Sequence, residues 1–139
     1  MAMNLEIVPG PAYLTVVFTG TFALDEAKRI FEDLLAAAAR QRASHVLVDA
    51  RAVTGAPGDT ERYAYASYVA EAVAAARRQE AGWEPSFAYV MRPPLRDPQR
   101  FGENVAVNRG MSVRTFEDLD AAVLWLMLPP ERRAGPQRA

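Results

Sequence analysis

The stretch from Phe101 to Leu128 constrains this chain most. Phe101 to Arg109 reads as a helix, Gly110 as its stop, Ser112 to Phe116 as a short strand, and Asp118 to Leu128 as an acidic-started amphipathic helix. Helix, glycine, strand, helix in that order is the closing unit of an α/β sandwich, and it sets how the rest must be read.

Upstream the pattern repeats. Leu5 to Val8 and Tyr13 to Thr19 read as strands, and the Pro9-Gly10-Pro11 turn between them suggests an antiparallel pair. Leu24 to about Arg40 is a helix, with Ala27, Ile30, Phe31, Leu34, Leu35 and Ala38 recurring at helical spacing. His45 to Asp49 is a short apolar run after a helix, the mark of a buried parallel strand. Arg51 to Gly58 reads as a loop broken by Gly55, Pro57 and Gly58. Asp59 or Thr60 can cap a second helix running to Gln79, which Gly82 stops. Ser86 to Met91 is the next strand, and Asp97-Pro98 opens the third helix with a cap followed by proline. The order ββαβαβαβα, with four helices, predicts a single-domain α/β sandwich. Its five-stranded sheet is mostly parallel with an antiparallel N-terminal strand. The domain spans residues 1–128, and a polar tail occupies 129–139.

Composition closes off several function classes. The chain of 139 residues has no cysteine and one histidine, His45, which excludes disulfides, thiol chemistry and multi-histidine metal sites. A net charge of −1 gives no general attraction to nucleic acid or to a membrane surface. No apolar run approaches the roughly 18 residues of a membrane span, and residues 1–9 lack the pattern of a secretory signal, so a cytoplasmic location is expected. There is no glycine-rich phosphate loop with its lysine and no Gly-x-Ser-x-Gly elbow. The expectation is therefore no catalytic residue, no cofactor and no metal.

Two features point to binding. At the carboxyl ends of the strands, two loops gather Asp49, Arg51, Thr54, Arg92 and Arg96, a candidate docking site for an anion or a phosphorylated partner. A solvated rim of paired charges accounts for the same residues. The second helix carries two apolar stripes, Tyr63-Ala66-Ala70-Val73-Ala74 and Tyr65-Tyr68-Val69-Ala72-Ala76, where one helix on one sheet needs only one. Such a helix is buried on two sides or carries an interface. Tyr65, Tyr68 and Val69 are the candidate contact, with a homodimer as its simplest form.

The chain resembles the superfamily of STAS domains and anti-sigma-factor antagonists, typified by the stage II sporulation AA protein. Tyr13 to Gly20, Val46-Leu47-Val48-Asp49-Ala50-Arg51, and Val113 to Asp118 leading into Ala121 to Leu126 carry the likeness. It looks most like bacterial STAS-like domains, whose fold is also compared with CRAL-TRIO lipid-binding domains. The resemblance implies a regulatory or protein-interaction module without catalysis. Antagonists of this kind switch a partner kinase or anti-sigma factor through a serine or threonine after an aspartate, opening the helix that follows the Asp49-type strand. The matching pair is Asp59-Thr60, which makes Thr60 the candidate phosphoswitch, although an ordinary helix start explains the pair equally well. Thr60 is followed by Glu61-Arg62, where the family pattern has small residues. A different class of function is a small apolar or anionic ligand held between the sheet and the second and third helices.

Overall fold

The computed structural model describes residues 1–133. Its elements are β1 (Asn4–Val8), β2 (Leu14–Thr21), α1 (Leu24–Gln41), β3 (His45–Thr54), α2 (Asp59–Gln79), β4 (Ser86–Val90), α3 (Phe101–Asn108), β5 (Ser112–Phe116), α4 (Leu119–Met127) and α5 (Pro130–Arg133). The sheet has five strands in the order β1-β2-β3-β4-β5. β1 runs antiparallel to β2, and every other pairing is parallel.

Strands laid down in chain order and joined by crossovers of one hand must place their helices on one face. Accordingly, α1, α2 and α3 cover one side, over a core that includes Val16, Phe31, Leu34, Val46, Val48 and Phe87. After β5 the chain turns back, and α4 covers the other side, packing Ala122 and Leu126 on Leu47, Ala88 and Val90. β4 lies between β3 and β5 with both faces covered, and all five of its residues are buried.

Several boundaries differ from expectation, each for a local reason. β3 continues through Arg51–Thr54, which the sequence suggested was loop, because β2 is also long. Thr19, Gly20 and Thr21 pair with Ala52, Val53 and Thr54 beyond an irregularity at Val17–Thr19. The cap of α2 is Gly58, not Asp59 or Thr60; its N–H donates to the Glu61 carboxylate at 3.2 Å. α3 begins at Phe101, not Pro98. Arg100 sits at φ 58, which breaks the helical path, and the Asp97 carboxylate accepts from the Gln99 and Phe101 N–H groups of a separate turn. Beyond α4 a short fifth helix, where four were expected, brings Arg133 into a buried position.

Candidate functional site

The parallel strands end against α2 and α3, and the space left between them is a cavity of about 130 Å³. Its floor is the helix-covered face of the sheet, with Phe18, Ala50, Val53 and Tyr89; its roof is Tyr65, Ala66 and Val69 of α2 and Ala106 of α3. Met91 and Leu95 close one side. Small residues make this space. Ala66 and Gly102 meet where α2 crosses α3, and a methyl group on Gly102 would come within 3.9 Å of the Ala66 side chain.

Polar groups in the cavity wall are mostly matched to one another. The Tyr65 and Tyr89 hydroxyls lie 2.9 Å apart and share a hydrogen bond. Burial pushes the pKa of both phenols up, so both stay protonated across the physiological range. The Glu103 carboxylate, 7% exposed, accepts from the Thr115 N–H at 3.0 Å and from its hydroxyl at 2.6 Å. Arg96 donates to the Thr115 hydroxyl and carbonyl and pairs with Glu117 at 3.1 Å. Arg100 lies 3.6 Å from Glu103. Arg62 differs. One of its terminal nitrogens donates to the carbonyls of Pro94 and Leu95, at 2.8 and 3.3 Å, but its Nε–H is buried without an acceptor.

The five docking candidates do not form one site. Asp49 and Arg51 form a two-bond ion pair at 2.9 and 2.8 Å on the sheet face that carries α4, since strand alternation puts them on the side of Leu47. Arg51 holds the Asp49 carboxyl below its ordinary pKa, and Arg92 adds a smaller pull. Arg96 is in the cavity wall on the opposite face. Thr54 is at the far end of the β2–β3 extension, its hydroxyl 3.2 Å from that of Thr21. Thr60 is exposed at the second position of α2.

The three interface candidates are placed differently from one another as well. Tyr65 turns inward, with its ring edge-on to Phe22 and Phe31. Val69 is buried in the core. Tyr68 is half-buried beneath the Lys28 ammonium, which lies 5.2 Å from its ring centre. Both stripes are used within the fold, because α2 lies between α1 and α3 as well as on the sheet. The outer residue is Tyr63, 47% exposed, whose hydroxyl accepts from Arg109 at 2.9 Å. Arg109 thus reaches across to α2; it does not fold back on the carbonyls of its own helix. Arg62, whose Nε–H alone is unpartnered among the described residues, is not singled out by the sequence, where it reads as an ordinary first-turn charge. No motif marks it, since the carbonyls it bonds, those of Pro94 and Leu95, lie in a distant loop.

Among the described residues there is no cluster of three or more metal-ligating side chains and no helix long and apolar enough to cross a membrane. No protein-family model matches the chain, and no curated protein does. Solved structures do. An anti-sigma factor antagonist from Mycobacterium paratuberculosis superposes with a TM-score of 0.56 at 14% identity, covering 89% of this chain and 93% of that one. An uncharacterized protein of the DUF3478 family from Shewanella loihica PV-4, described as having a SpoIIAA-like fold, superposes with a TM-score of 0.50 at 18% identity, covering 90% and 94%. The fold is therefore the STAS-like, SpoIIAA-like one expected from the sequence.

Proposed function

We propose that the protein is a non-catalytic regulatory module that acts by binding another protein, with Thr60 as its switch. The observation that carries this reading is the placement of Thr60 in a SpoIIAA-like frame. Its side chain is exposed at the start of the helix that follows β3, open to a modifying enzyme and to a partner. A phosphate there would meet the free N–H groups and the positive end of a 21-residue helix, which favours the modified state without disturbing the core. The ion-paired Asp49–Arg51 and Arg92 would form a separate charged patch available to a partner. A homodimer is the simplest assembled form, with the half-buried Tyr68, whose hydroxyl has no inward partner among the described residues such as Tyr65 has in Tyr89, as its candidate contact.

The test compares Thr60→Ala and Thr60→Asp in cells that carry the gene. Affinity capture with quantitative mass spectrometry should find a protein whose recovery differs about tenfold or more between the two variants, and intact-mass measurement of the wild type should find a single phosphate. Identical partners for both variants and no phosphate on Thr60 would remove the switch. Sedimentation that shows a monomer over a wide concentration range would remove the homodimer.

A second reading is favoured by one observation, the apolar cavity under α2 and α3. It lies where a domain that binds a small apolar or anionic ligand needs it. Native mass spectrometry separates the two readings. A reproducible small-molecule adduct supports the second, and a bare chain supports the first.

A further inference from the structure

Three arginines line the cavity, and two of them are neutralised. Arg96 is paired with Glu117 and bound to Thr115, and Arg100 is paired with Glu103. Arg62 has no carboxylate within ion-pair distance among the described residues, and its buried Nε–H has no acceptor. A buried N–H without an acceptor is costly, and native structures seldom leave one so. The tyrosine hydroxyls in the same wall satisfy each other, and its two carboxylates are engaged elsewhere: Glu103 with Thr115 and Arg100, and Asp97 with the Gln99 and Phe101 N–H groups, Asp97 feeling the Arg62 charge from beyond ion-pair distance. Most of the remaining wall is apolar, with Phe18, Phe22, Val53, Val69, Met91 and Ala106 among its residues.

We propose that this cavity binds a small monocarboxylate, its apolar body inside and its carboxylate on Arg62. This rests on the second reading above and narrows it to a ligand class. The charge follows from Arg62, because a neutral acceptor would complete the hydrogen bond, whereas a carboxylate also meets the guanidinium charge. The size follows from the volume. At about 130 Å³ the space is close to that of cavities that hold one benzene molecule, roughly 150 Å³. A phenyl ring or an alkyl group of similar bulk fits; a long acyl chain would have to extend outside.

The test uses benzoate and toluene as probes of the full-length protein, with binding followed through the methyl signals of Ala66, Val69 and Ala106. Benzoate is expected to bind the wild type, and Arg62→Gln is expected to weaken it about tenfold or more, the scale of one charge-assisted hydrogen bond, while leaving toluene binding unchanged. If toluene binds and benzoate binds no more tightly, the apolar cavity stands and the carboxylate assignment fails. If neither binds at millimolar concentration, both fail. A wild-type measurement keeps the proposal open to refutation should Arg62→Gln not fold. Benzoate affinity should fall as pH drops through the carboxylate range while toluene affinity holds, and parallel behaviour of the two probes would overturn it.

Discussion

Tyr65 and Tyr89 show how a single hydrogen bond can commit a side chain to the interior. Each hydroxyl is buried and each is the other's partner. Removing one should strand the other, so Tyr65→Phe and Tyr89→Phe are each expected to cost about 1–3 kcal/mol in urea denaturation. The double variant should cost less than the sum, because it leaves no stranded donor, and strict additivity would contradict the pairing. The sequence puts Tyr65 on the same stripe as Tyr68, and only its partner in a distant strand, β4, distinguishes them. That partnership has no signal in local spacing. Asp49 makes a second, pH-dependent point. Its folded pKa is lowered, first by the hydrogen bonds from Arg51, so the folded state binds its proton more weakly than the unfolded chain. The stability it contributes is present above the unfolded value of 3.8 and is lost as pH falls through the lower folded value. Asp49→Asn should therefore lower stability at neutral pH, where the contribution is present, and flatten the decline below about pH 4.

The elements follow from patterns of different reach. α1 was legible because one face carries its apolar residues and its ends carry the matching charges. α2 was legible as a helix with two apolar stripes, but whether the second stripe met solvent, a partner or a neighbouring helix depended on where α1 and α3 were placed. The end of β3 was missed because Gly55, Pro57 and Gly58 lie just beyond it. The residues before them are held by β2, whose length was itself underestimated. That extension has a tight point at Gly20. Its φ is +107, and a Cβ there would collide with the backbone of Ala2 and Met3. Gly20→Ala should cost about 2 kcal/mol or more and loosen the N-terminal segment, read as faster hydrogen exchange at Thr21, whose N–H donates to the Met1 carbonyl. Gly58 is the contrasting case. It caps α2 from an extended conformation, and nothing lies within 4 Å of a Cβ placed on it. Gly58→Ser should stabilise by a few tenths of a kcal/mol, since a serine hydroxyl can accept from the free N–H groups of the first turn. A fall in the thermal midpoint of this variant would show that the cap is constrained by something else.

At the scale of the whole molecule, the mostly parallel five-stranded sheet follows from alternating strands and helices under one-handed crossovers, and so it could be read from the sequence. The seating of α5 could not. Glu131 to Arg133 looks polar in sequence, yet Arg133 is 7% exposed and ties three elements together. Its guanidinium donates to the Leu128 carbonyl at 2.9 Å and to the Ser86 hydroxyl at 2.7 Å, and it lies 4.8 Å from the centre of the Trp125 ring. Ser86 bonds in turn to Ser112, so α5 is fastened to the start of the two neighbouring strands β4 and β5. Arg133→Ala should cost about 1–3 kcal/mol, because it removes the ring contact and strands polar groups beneath it. Arg133→Met should cost less, since it keeps the packing and escapes the desolvation of a buried charge. The same pair of variants reports on His45, at the start of β3. Its pKa is lowered by partial burial first and by the Arg133 charge second. Stability should thus decline as pH falls from 6.5 through the lower folded value, where the unfolded chain takes up the proton and the folded one resists it. In Arg133→Met the His45 titration, followed by NMR, should move up towards 6.5 and the decline should become shallower. An unmoved titration in a folded Arg133→Met protein would mean that α5 is not seated on the sheet in solution.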